Sequence, residues 1–161
     1  MKNIARIAAA VAACAAFHAP EAFAQTATLE QAKDLVKKGR EYLRKNGCKK
    51  TFEEINAKKI FIDPNHKELY LYIYDEKLNN LAHGGNDKLP GKNLWEMKDN
   101  RGRYLNQDLL KAAKAGGGAV EFDFYNPGTR QIDPKVGWAE IEDKADCGTV
   151  MIGSGIYRKK A

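Results

Sequence analysis

Between residues 69 and 74 the chain alternates one side chain at a time. Leu69, Leu71 and Ile73 fall on one face of an extended backbone, and Tyr70, Tyr72 and Tyr74 fall on the other. A period of two is incompatible with a helix, so this segment commits the chain to a β-strand with two chemically different faces. Such alternation suits an antiparallel sheet packed on a helix on one side and facing a cavity or water on the other. A polar connection over residues 75–80 follows, and residues 81–83 start a return strand that delivers His83 into the corner Gly84-Gly85-Asn86. The chain then passes through Gly91-Lys92-Asn93-Leu94 to Trp95. Aromatics and one histidine beside a glycine corner suit the wall of a small, partly polar pocket. They supply neither a nucleophile with its base nor a set of metal ligands, so they point to binding rather than transformation.

The first residues read as a secretory signal peptide. Lys2 and Arg6 give a positive start, residues 7–17 are apolar but too few to span a membrane, and Ala22-Phe23-Ala24 offers a small-x-small cleavage site. Residues 1–24 are therefore expected to be removed, leaving a mature chain from Gln25 that is long enough for one domain with its own core, residues 25–161. A lipid anchor through Cys14, after Val11-Ala12-Ala13, is the minor alternative. No later segment is apolar enough to cross a bilayer, so the expected location is periplasmic. Cleavage lowers the formal net charge of +6 by one. Much of the basic character sits on one predicted helix, through Lys33, Lys37, Lys38, Arg40, Arg44 and Lys45, and reads as a solvated face. A nucleic-acid partner would want interleaved base-reading side chains, and none is expected. Cys48 and Cys147 are an even pair in an oxidising compartment, yet their spacing leaves a disulfide and two separate thiols both open.

Thr28 with Gln31 has the form of a capping box, and Leu29, Ala32, Leu35, Val36, Gly39, Tyr42 and Leu43 share one helical face up to Gly47. Thr51 to Glu54 repeats the cap signature for a short second helix, and residues 59–62 are a brief strand candidate. Residues 105–115 form another helical stretch, closed by three glycines. Val120, Phe122 and Phe124 alternate with polar neighbours, Asn126-Pro127-Gly128-Thr129 makes a turn, and strands follow over 135–142 and 149–157. Helices and strands in this order give an α+β domain on an antiparallel sheet.

No protease, hydrolase, phosphate-loop or paired Cys/His motif is present, and no cofactor motif, so the chain does not read as an enzyme. A catalytic role for His83 as general base lacks a second group. Lys135 is the one cation at the head of a predicted sheet strand, after the Asp133-Pro134 turn. With His83 it can meet the carboxylate of a small ligand.

The stretches YLYIYDEKLNNLAHGGNDKLPGKNLW and GGGAVEFDFYNPGTRQIDPKVGWAEI, with the closing VMIGSGIY, resemble in their order the single Cache domain of the second type. This is a PAS-like extracytoplasmic sensor module of bacterial chemoreceptors and kinases. The resemblance implies a long N-terminal helix packed on a curved antiparallel sheet, short helices in the connections, and a pocket that takes a small organic acid without transforming it. Carried over by motif, it places His83 on the strand leading into the pocket loop and Trp95 at that loop's end. It puts Lys135 and Trp138 on a central pocket strand, with Tyr74 and Tyr125 as walls. Trp138 stands where the family commonly has Tyr, and residues 145–149 lack the family's usual Trp, a loss of aromatic bulk that would enlarge or open the pocket. After Tyr157 only Arg158-Lys159-Lys160-Ala161 remain, so a stand-alone sensor is expected, relaying to a membrane-bound receptor or kinase. The alternative is a ligandless protein–protein interaction module of the bacterial cell envelope.

Overall fold

The computed structural model describes residues 27–158. The proposed signal peptide, its cleavage site and Cys14 lie outside them. Three helices and five strands follow in the order α1 (Leu29–Asn46), α2 (Cys48–Asn56), β1 (Tyr72–Asp75), β2 (Asn80–His83), α3 (Leu105–Lys114), β3 (Gly118–Asn126), β4 (Gln131–Glu142) and β5 (Val150–Tyr157). The strands form one antiparallel sheet in the order β2-β1-β5-β4-β3.

The capping box at the start of α1 is present in full: Thr28 Oγ1 accepts from Gln31 N, and Gln31 Oε1 accepts from Thr28 N at 2.7 Å. Gly47 ends α1 in a left-handed conformation (φ 80°), which only glycine adopts at no steric cost, and the chain restarts at once as α2. The second helix thus begins four residues earlier than the Thr51 cap signature suggests. Thr51 lies inside it, its hydroxyl donating back to Gly47 O at 2.7 Å. The cap comes from far along the chain: Asp146 Oδ1 accepts from Cys48 N at 2.8 Å. Beside it Cys48 and Cys147 form a disulfide, with Cα atoms 6.0 Å apart. Residues 59–62 contribute a single bridge, Ile62 to Tyr70, in place of a strand.

Helices α1 and α2 cover one face of the sheet, where Val36, Leu43 and Ile55 pack on Leu71, Ile73, Val150 and Ile152. The basic residues of α1 are only partly solvated. Arg40 and Arg44 donate to Glu142, a fully buried carboxylate at the end of β4, at 3.1 and 2.8 Å, and so tie the helix to the sheet. Helix α3 covers the other face, packing Leu105, Leu109 and Leu110 against Tyr70, Tyr72, Tyr74, Phe122 and Phe124. The tyrosine face of the 69–74 segment is therefore as buried as the aliphatic face. Residues 91–94 fold back along β2, with Leu94 N donating to Leu78 O and Asn80 N to Lys92 O, and so cover that edge of the sheet.

Candidate functional site

Strand parity decides which side chains meet. Across the β3–β4 hairpin Phe122 pairs with Lys135 and Phe124 with Asp133, so Phe122, Phe124 and Lys135 face the same side. On the far side of the sheet centre, Tyr72 pairs with His83. The two groups close around a cavity of about 10 Å³, near the volume that holds one water. Its lining is Tyr72, Tyr74, His83, Leu105, Asn106, Leu109, Phe122, Phe124 and Lys135.

Lys135 is 2 % exposed. Its Nζ donates to Tyr70 Oη at 2.9 Å and lies 3.4 Å from Tyr157 Oη, and Tyr157 donates onward to Tyr125 O at 2.6 Å. The rings of Tyr70 and Tyr157 lie 4.1 and 4.7 Å from Nζ, with Phe124 and Tyr72 at 5.5 and 5.6 Å. The ammonium thus sits in a box of four aromatic faces, with no carboxylate ion-paired to it among the described residues. Burial lowers its pKa to about 7.

His83 is 1 % exposed and stacks between Tyr72 and Phe124. The glycine corner fixes its tautomer. Backbone N–H groups of Gly85 and Asn86 donate to Nδ1 at 3.2 and 2.9 Å, so the neutral ring carries its proton on Nε2. Burial first, and the charge of Lys135 second, lower its pKa to about 3. An imidazole whose lone pair already accepts two backbone donors is not set up as a general base. It is a neutral donor beside a buried cation.

Two glycines of the closing Ile-Gly-Ser-Gly-Ile-Tyr run make room for this arrangement. A Cβ at Gly153 would lie 2.2 Å from Tyr72 Cε2, and one at Gly155 would lie 2.9 Å from Lys135 Cε. Ser154 between them accepts from Tyr72 Oη through its carbonyl and donates its hydroxyl to Tyr70 O.

Of the residues singled out in the sequence, the fold brings His83, Lys135 and Tyr74 to the cavity. The other three lie elsewhere. Trp138 is three residues from Lys135 and so faces the opposite side of β4, toward α1, where Lys33 Nζ lies 4.7 Å from its ring and Nε1 donates to Glu140. Tyr125 follows Phe124 and points outward, 38 % exposed, meeting the tyrosine network only through its carbonyl. Trp95 is 40 % exposed and ties its loop to α3 through Gln107, which donates to Trp95 O at 2.8 Å. Tyr70 and Tyr72, the other tyrosines of the 69–74 aromatic face, take part as well, and Phe122, Phe124 and Asn106 do so without having been singled out as site residues. Lys135 does not head its strand after an Asp133-Pro134 turn: β4 already begins at Gln131, so Asp133 and Pro134 are strand residues and Lys135 is an interior one opposed to Phe122.

A family model, Single Cache domain 2, matches residues 7–159. The chain belongs to the single Cache domain family of the second type. Solved structures of similar fold include a methyl-accepting chemotaxis protein from Vibrio parahaemolyticus (TM-score 0.66, 24 % identity, 80 % of this chain and 86 % of that one). A periplasmic sensor domain of a chemotaxis protein (TM-score 0.61, 23 % identity, 81 % and 90 %) is also similar. So is a Cache chemosensory domain described for carboxylic acid recognition (TM-score 0.64, 22 % identity, 81 % and 92 %). In sequence, 91 residues are 31 % identical to the sensor histidine kinase MctS of Rhizobium johnstonii, covering 56 % of this chain and 19 % of that protein. The matched stretch thus spans about a fifth of the kinase's length. Among the described residues no helix is long and apolar enough to cross a membrane.

Proposed function

We propose that this Cache domain is a periplasmic sensor that binds a short monocarboxylate at Lys135 and His83. The observation that carries the reading is the enclosed Lys135 ammonium, which has aromatic and hydroxyl neighbours and no carboxylate ion-paired to it among the described residues. A carboxylate supplies the missing charge, with His83 Nε2–H as a second donor. The lining contains one cation and no acid, which disfavours a dicarboxylate and the ammonium of an amino acid. Leu105, Leu109, Phe122 and Phe124 suit a short apolar tail. One solved relative of the same fold is described as recognising carboxylic acids, which supports the same ligand class.

The cavity in its present volume is smaller than acetate, so binding requires outward movement of the covering wall. The side chains of α3 are the covering wall, and their displacement gives the domain a way to report occupancy to a membrane-bound receptor or kinase. A thermal-shift screen of organic acids tests the reading. Acetate, propionate or pyruvate should raise Tm in a saturable way, and Lys135→Met should abolish the rise. No response to any monocarboxylate would reject it.

The nearly filled cavity favours a second reading, an interaction module that needs no small ligand. Capture of an envelope partner unchanged by added acids, with no thermal shift, would select it.

A further inference from the structure

Two of the groups lining the cavity hold hydrogens that the fold leaves unused. Lys135 has three N–H bonds when charged and places two near Tyr70 and Tyr157, at 2.9 and 3.4 Å. His83 gives its Nδ1 to the Gly85 and Asn86 amides, and its Nε2–H has no acceptor among the described residues. Both side chains are at least nine-tenths buried, and both line a cavity with room for one water-sized sphere. A buried donor without an acceptor is costly, and a buried cation without an anion is more so. A water molecule would satisfy the donors and bring no negative charge to Lys135, which has no carboxylate ion-paired to it among the described residues.

We infer that this cavity is a halide site, in which a single chloride ion sits between Lys135 and His83 and is exchanged for the organic carboxylate. The halide site stands on the donors, the charge and the volume. Only the exchange rests on the carboxylate reading above. Chloride is slightly larger than water, so its entry displaces the Leu105 and Leu109 side chains that line the cavity. Sulfate and phosphate carry a second charge that nothing in the lining meets.

The consequence is a sensor whose apparent affinity for its acid depends on chloride. The test uses the full chain in methanesulfonate–chloride mixtures of constant ionic strength, below the Lys135 pKa. Chloride should raise Tm in a saturable way, and the acetate concentration giving half of its full shift should double when chloride reaches its own Kd. Lys135→Met should remove both effects. Absence of a saturable chloride effect in the wild type, or its persistence in that variant, overturns the site. Should the variant not fold, crystals of the wild type soaked in bromide decide the matter. An anomalous peak between Lys135 and His83 supports the site, and peaks at the surface alone overturn it. Chloride binding without any acetate binding would reject the carboxylate reading and leave the halide site standing. Acetate and chloride binding without competition would overturn the exchange.

Discussion

Lys135 and Tyr70 are 65 residues apart in the chain, yet the lysine ammonium donates to the tyrosine hydroxyl at 2.9 Å and lies over the same ring at 4.1 Å. The contact exists because β5 stands between β1 and β4 and carries glycines on the face where these side chains cross. Everything proposed for the site turns on this enclosed cation.

Replacing Lys135 by Met keeps the length of the side chain and removes a charge that burial disfavours. Stability at pH about 7 should stay level or rise by roughly 1–2 kcal/mol, while the response to monocarboxylates disappears. Chemical denaturation beside a ligand screen separates the two effects. A loss of stability would mean that the aromatic box favours the cation more than burial opposes it.

Stability should also climb with pH on two separate limbs. His83 has a folded pKa of about 3 against an ordinary 6.5, so between these values the unfolded chain binds the extra proton and acid destabilises the fold. Lys135 has a folded pKa of about 7 against 10.5, so its penalty is full below 7 and fades as pH rises toward 10.5. Unfolding free energies measured across this range should lose the upper limb in Lys135→Met and the lower limb in His83→Asn. An unchanged slope in either variant contradicts the assignment.

Carboxylate binding should take up protons. An anion favours charged Lys135, so affinity is highest below pH 7 and weakens by about tenfold per unit above it, until the complexed lysine itself titrates. Calorimetry in two buffers of different ionisation enthalpy measures the uptake directly. Equal heats in the two buffers near pH 7 would show that Lys135 does not change charge on binding.

Reducing the Cys48–Cys147 disulfide opens a closure that spans 99 residues. Loop entropy places the expected loss of stability at about 4 kcal/mol. A Cys48→Ser, Cys147→Ser double variant should show a comparable fall in denaturant midpoint and no further sensitivity to dithiothreitol. A wild-type midpoint indifferent to reductant would remove the linkage.

Gly155→Ala introduces a Cβ that meets the Val136 carbonyl oxygen at 2.5 Å and Lys135 Cε at 2.9 Å. The first of these is backbone in the neighbouring strand and cannot swing away. A cost of about 1–3 kcal/mol is expected, together with weakened carboxylate binding as Lys135 is displaced. Normal stability and affinity would show that the β4–β5 ladder is more pliable than its packing suggests.

Several elements were legible in the residues. The capping box at Thr28 and Gln31, the face formed by Ala32, Val36 and Leu43, and the alternation of Leu71 and Ile73 with Tyr70 and Tyr72 all rest on neighbours within a few positions. The true start of α2 was not legible, since its capping group is Asp146, 98 residues away. Trp138 shows a different kind of miss. Its odd offset from Lys135 already assigned it to the other face of β4, and aromatic character outweighed parity. Arg40 and Arg44 looked like solvated charges because the buried carboxylate that receives them, Glu142, lies at the far end of another strand.

The sequence by itself determined most of the secondary elements, the two-faced alternation at residues 69–74, of which only Tyr72–Asp75 is strand β1, and membership in the single Cache domain family, because capping, periodicity and motif order are local properties. Only the tertiary structure decided that the tyrosine face is sealed by α3, that Phe122 and Phe124 wall the cavity in place of Trp95, Trp138 and Tyr125, and that Lys135 is buried beside it with no carboxylate ion-paired to it among the described residues. Those outcomes depend on which strands become neighbours and on how much water the packed layers exclude. The desolvation of a single amine is the sum of contacts from β1, β3 and β5, and no window of the chain contains them together.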